Sequence, residues 1–65
     1  MTNSLLENIL RDDEIVRYLQ HMVSMKCELN YQVLGELDRH FRGITSRGEL
    51  LHNLSAEMRF QLESE

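Results

Sequence analysis

The sequence predicts an all-α fold, and three observations carry the prediction. Apolar residues recur at intervals of three and four through most of the chain. No proline occurs anywhere, and the run from Asp13 to Arg42 contains a single glycine, Gly35. Twice a serine stands three residues ahead of a glutamate at the start of an apolar stretch, as in a capping box: Ser4 with Glu7, and Ser46 with Glu49. The expected architecture is one domain, residues 1–65. It has a short helix over about 4–11, a long central helix over 13–42, either straight or bent near Asn30–Gly35, and a C-terminal helix over 46–63 folded back as an antiparallel hairpin. A second copy of the chain is expected to complete the bundle.

Each element has a local reason. Leu5, Leu6, Ile9 and Leu10 form one apolar edge after Ser4. Asp12, Asp13 and Glu14 then supply an N-cap and acidic first-turn residues for the second helix. Along that helix Val16, Leu19, Val23, Cys27, Asn30, Leu34, Leu37 and Phe41 make a stripe, widened by Ile15, Met22, Leu29 and Val33. At ~100° per residue the apolar face spans ~160°, more than one neighbouring helix hides. Gly43 suits the left-handed position past the last turn, and Arg39, His40 and Arg42 suit the negative end of the dipole. Glu36 with His40 and Asp38 with Arg42 have the spacing of helical ion pairs. Leu51, Leu54, Met58 and Leu62, with Leu50 alongside, form the narrower stripe of the last helix.

Composition narrows the function classes. A 65-residue chain buries only ~60% of the surface its unfolded form exposes, so its stability is marginal. One cysteine allows no internal disulfide, and no paired Cys/His zinc pattern is present, which leaves oligomerisation as the remedy. The formal charge of −4 gives no overall attraction to nucleic acid or anionic membrane. No apolar run approaches the ~20 residues that span a bilayer. Met1-Thr2-Asn3-Ser4 lacks the basic-then-apolar pattern of a signal peptide, and a lone thiol fits a reducing compartment, so a cytoplasmic location is expected.

The candidate contact residues follow from the stripe. Val16, Leu19, Met22, Val23, Cys27, Asn30, Val33, Leu34 and Leu37 are expected to meet a partner, a dimer being favoured. Asn30, a polar group in the seam, reads as a register device. On the same reading, charging Val23 or Leu34 would unfold or dissociate the protein. Phe60 projects away from the last stripe and is a contact anchor. His21, Met22, Met25 and Cys27 are soft metal-ligand types, but helical steps send them to different faces. No nucleophile pairs with Asp38 or His40 and no glycine-rich phosphate loop occurs, so neither catalysis nor a cofactor is expected.

Two function classes remain. The first is a non-enzymatic regulator or adaptor that presents a helical face, inhibiting or chaperoning another protein, as small bacterial and phage proteins do by analogy. The alternative is a dimeric DNA-binding regulator. It would use Arg39, His40, Arg42 and Arg47 around the last turn for anion or nucleic-acid contact. His52, Asn53, Ser55, Glu57 and Arg59 do not make the last helix convincingly basic, which favours the first class.

Overall fold

The computed structural model describes residues 4–64 as four helices: α1 (Ser4–Leu10), α2 (Asp13–Ser24), α3 (Tyr31–Phe41) and α4 (Arg47–Glu63). Met1 to Asn3, where the absence of a leader pattern was read, and Glu65 of the acidic tail lie outside the described residues. The all-α class holds among the described residues, but the central rod does not. Met25 to Asn30 separate two helices, so the 13–42 helix of the sequence reading is corrected to α2 and α3.

The break is built like a glycine-terminated helix end, without the glycine. The amide of Lys26 donates to the Val23 carbonyl and the amide of Cys27 to the Met22 carbonyl, at 2.9 and 3.0 Å. This double bond pattern closes a Schellman turn, with Lys26 in the left-handed region at φ 69°. Lysine there costs roughly 1–2 kcal/mol more than glycine. The apolar contact that goes with such a turn is present, because Met22 and Cys27 are both buried. The end of α3 repeats the pattern with its expected glycine. Gly43 (φ 81°) donates to the His40 carbonyl and Ile44 to the Arg39 carbonyl.

Asn30 then starts α3. Its Oδ1 accepts from the Val33 amide at 3.1 Å, so it is the N-cap of a new helix rather than a polar residue in a continuous seam. Asp12 caps α2 in the same way through the Ile15 amide, and Ser46 and Glu49 make the expected reciprocal capping box at α4. Gly35 sits inside α3 without interrupting it, and a methyl group there would meet nothing within 4 Å.

The buried stripe runs along one edge of the wide apolar face, through Ile15, Leu19, Met22, Val33 and Leu37, and not along the edge that holds Val23 and Leu34. The core is Ile9, Ile15, Leu19, Met22, Cys27, Val33, Leu37, Leu50 and Leu54. In α2 the innermost residues are therefore Ile15, Leu19 and Met22, whereas Val23 is 54% exposed. Leu34 is also exposed while Val33 and Leu37 are buried. The expectation that Val23 and Leu34 lie in the buried stripe is corrected accordingly. α1 packs on α2 and α3, and α3 packs on α4.

Polar bonds tie α3 and the Met25–Asn30 connector to α4. Glu36, only 6% exposed, accepts from Gln32, Arg39 and Asn53, the last from α4 at 2.9 Å. Three donors compensate the burial of that carboxylate. Its expected partner His40 instead donates Nδ1 to the Thr45 carbonyl at 3.1 Å, while Asp38 does pair with Arg42. Nearer the end of α4, the Gln61 amide group grips the connector on both of its hydrogen-bonding sides. Its Oε1 accepts from the Glu28 amide at 2.7 Å and its Nε2 donates to the Glu28 carbonyl at 3.0 Å. Asn30 Nδ2 donates to Glu57, whose carboxylate also accepts from Gln61.

Candidate functional site, an apolar groove between the first two helices

Arg11 and Asp12 turn the chain sharply between α1 and α2. The Asp12 amide donates to the Ile9 carbonyl at 3.0 Å, and the Asp12 side chain caps α2. This places Ile9 and Leu10 against one side of α2. With Val16, Leu19, Gln20, Val23 and Ser24 of α2 and Leu29 of the connector they line an open groove of about 410 Å³. Ile9 and Leu19 form a floor continuous with the core, at 8% and 9% exposure. Leu10, Val23 and Leu29 stand in solvent above it. Two polar residues line the groove, Gln20 and Ser24, and the Ser24 hydroxyl is occupied by the His21 carbonyl at 2.7 Å. No charged residue lines it.

Of the residues predicted to meet a partner, Val16, Leu19 and Val23 line this groove. Met22, Cys27, Val33 and Leu37 lie in the core of the single chain instead. Leu34 borders a second recess together with Leu29 and Tyr31, the last 92% exposed. Leu29 thus joins the two apolar areas. Phe60 is 66% exposed, beside a polar recess lined by Lys26, Glu28 and Gln61 among others. Leu10 was missed as a groove residue by the sequence reading. Its signal was the α1 edge itself, where Leu6 and Leu10 fall one turn apart and both remain exposed.

The basic residues near the last turn are engaged within the chain. Arg39 pairs with Glu36, and Arg42 with Asp38 at 3.0 Å. Arg47 reaches across to the start of α2, donating Nη1 to Asp12 Oδ1 at 3.0 Å and to Glu14 Oε1 at 2.8 Å. Among the described residues no three His, Cys, Asp or Glu side chains gather as a metal-ion cluster. His21 and Met25 face solvent while Met22 and Cys27 are buried. No described helix is long and apolar enough to cross a membrane.

The hydrogen bonds from Arg47 hold the Asp12 carboxyl below its ordinary value of 3.8, outweighing the opposing effect of burial. The lowered folded value fixes the sign of the pH dependence. The stabilisation is complete above the ordinary carboxylate value and disappears as pH falls from there through the lowered one. Asp12→Asn keeps an N-cap but loses the ion pair. It is expected to cost under ~1 kcal/mol at neutral pH, because Arg47 is partly solvent-screened. Thermal melts from pH 7 to pH 2 are expected to fall less steeply for Asp12→Asn than for the parent. Parallel curves would mean that the pair contributes nothing.

No protein family, curated protein or solved structure matches the chain. The groove therefore stands on its own geometry.

Proposed function

We propose that this chain is a small non-enzymatic regulator or adaptor that acts by protein–protein contact through the exposed α1/α2 face. Its partners are a second copy of itself and a further protein whose functional surface it masks. The observation that carries this reading is the groove: an apolar concavity without a charged lining residue, with Leu10 and Val23 more than half exposed. Solvated apolar surface of this kind is stabilised by docking against a helix, which fills a groove with side chains one turn apart. The ion pairs of Arg39, Arg42 and Arg47 weigh against the nucleic-acid alternative, since each cation already has a carboxylate.

Tagged parent chain and a Val23→Glu variant, used to capture proteins from the native host, test the reading. Val23 is exposed, so the charge leaves the single chain folded. A protein retained by the parent and lost from the variant is the expected result. The same proteins on both, or none on either, would reject the reading. Random duplex DNA is expected not to bind even at low salt, and steeply salt-dependent binding would restore the alternative.

A further inference from the structure

We infer that the Met25–Asn30 connector is a hinge that straightens. α2 and α3 then run on as one helix, and the chain exchanges its α3–α4 half with a second copy. This hinge does not depend on what the groove receives. Three features of the connector and its surroundings point to it.

The first is the backbone. Lys26 holds φ at 69°, in the left-handed region, where lysine is disfavoured roughly 10-fold relative to glycine. Met25 to Asn30 contain neither glycine nor proline, and Met25, Lys26, Glu28 and Leu29 are good helix formers. A continued helix sets each of them at φ of about −63°, which removes the strain at Lys26.

The second is phase. The residues buried on the two sides of the break are Ile15, Leu19 and Met22 of α2 and Val33 and Leu37 of α3. In one helix, at ~100° per residue, all five fall within ~60° of arc. A core stripe thus runs in register through the break. Lys26 falls midway along it, where its long stem lets the ammonium reach water. In the closed chain both halves of the stripe share one core with Leu50 and Leu54 of α4, and α1 packs on α3. A straight rod cannot fold its own halves together, so a second copy supplies the missing half. α1–α2 of each chain then meets α3–α4 of the other. Such an exchange rebuilds between copies the contacts already present in one chain.

The third is the set of bonds that straightening breaks. The Gln61 side chain bonds both the amide and the carbonyl of Glu28, groups that a continued helix uses within itself. Asn30 takes the Val33 amide, which in a continued helix donates to the Leu29 carbonyl. These bonds hold the hinge closed. The bond from Arg47 Nη1 to Asp12 Oδ1 at 3.0 Å differs from them, because it joins the two halves away from the hinge and can form again between copies.

Sedimentation of the full chain with a reductant present tests the hinge. A single chain is expected at micromolar concentration, and a growing share of pairs towards millimolar. Gln61→Ala is expected to raise the association constant at least ~10-fold, because each copy loses two bonds that only the closed form makes. Lys26→Gly is expected to lower it at least ~10-fold, since glycine relieves the turn and weakens the continued helix. Lys26→Ala removes the same charge and is expected not to lower it. Asp12→Arg and Arg47→Asp chains are each expected to pair poorly alone and to form a mixed pair together. Exchange sets the two altered residues against each other and the two unaltered ones together, whereas copies that meet only by their surfaces keep both clashes inside their own chains. If the charge-reversed chains fail to fold, the two Lys26 variants decide. Parent and Gln61→Ala chains that both stay single at millimolar concentration overturn the inference. So does pairing that is equal for Lys26→Gly and Lys26→Ala, or a mixture of folded charge-reversed chains that pairs no better than its components. Loss of a captured protein on Val23→Glu bears on the groove alone, so hinge and groove fail separately.

Discussion

Leu37→Ala is expected to cost about 3 kcal/mol, and Leu34→Ala less than about 1 kcal/mol, although both lie on the same apolar side of the sequence pattern. Leu37 is fully buried between α3 and the rest of the core, so truncation removes its transfer free energy and leaves a cavity. Leu34 keeps 39% of its surface in water in the single chain. A chain this long has only about 3–10 kcal/mol of stability in total, so the first variant is expected to be largely unfolded at modest urea concentration. Urea melts at a concentration low enough to keep the chain dissociated check the contrast. Equal losses at the two positions would put Leu34 back in the buried stripe.

Asn30→Ala is expected to cost about 2 kcal/mol, from two separable sources. The cap on Val33 contributes ~1 kcal/mol, and the bond from Nδ2 to Glu57 a similar amount. Asn30→Ser retains a capping oxygen without the amide donor, so it is expected to recover about half of the loss. Sedimentation separates this from the register reading. A cap residue changes the stability of each chain, whereas a register residue changes how many chains associate or how they align. An altered association state with unchanged stability would return Asn30 to the seam.

The two helix ends explain what was legible in the sequence and what was not. Gly43 announced the end of α3 because glycine is the residue that adopts the left-handed position most easily. The end of α2 has the same hydrogen-bond pattern and the same backbone handedness but carries Lys26 there. Met25, Lys26, Glu28 and Leu29 are good helix formers, so local propensity argued for continuation. Beyond the local turn and cap, the break is held by remote partners: Gln61 on the Glu28 backbone, and Glu57 on Asn30. Such partners cannot be read from local spacing. The one local signal was Asn30 itself, a preferred capping residue three positions before Val33, and in the sequence pattern it reads as a register device in a seam.

The same cause shaped the reading of the candidate site. The wide apolar face was legible as an excess of apolar residues over what one neighbour covers. Which of them face water was not, because that depends on which edge of the wide face α1 and α4 pack against. Val16, Leu19 and Val23 line the open groove, while Met22, Val33 and Leu37 lie in the chain's own core. The capped starts at Asp12 and Ser46 were legible because their partners lie three residues away.

The grip of Gln61 on Glu28 has a consequence for the groove. Leu29 is one wall of the groove, and its neighbour Glu28 is held by the last turns of α4, which do not line the groove at all. The C-terminal helix is thus a splint for a surface it never reaches. Clipping or fraying it upstream of Gln61 would leave the α1 and α2 walls in place while releasing the third. The geometry of the groove would then be set from the far end of the chain.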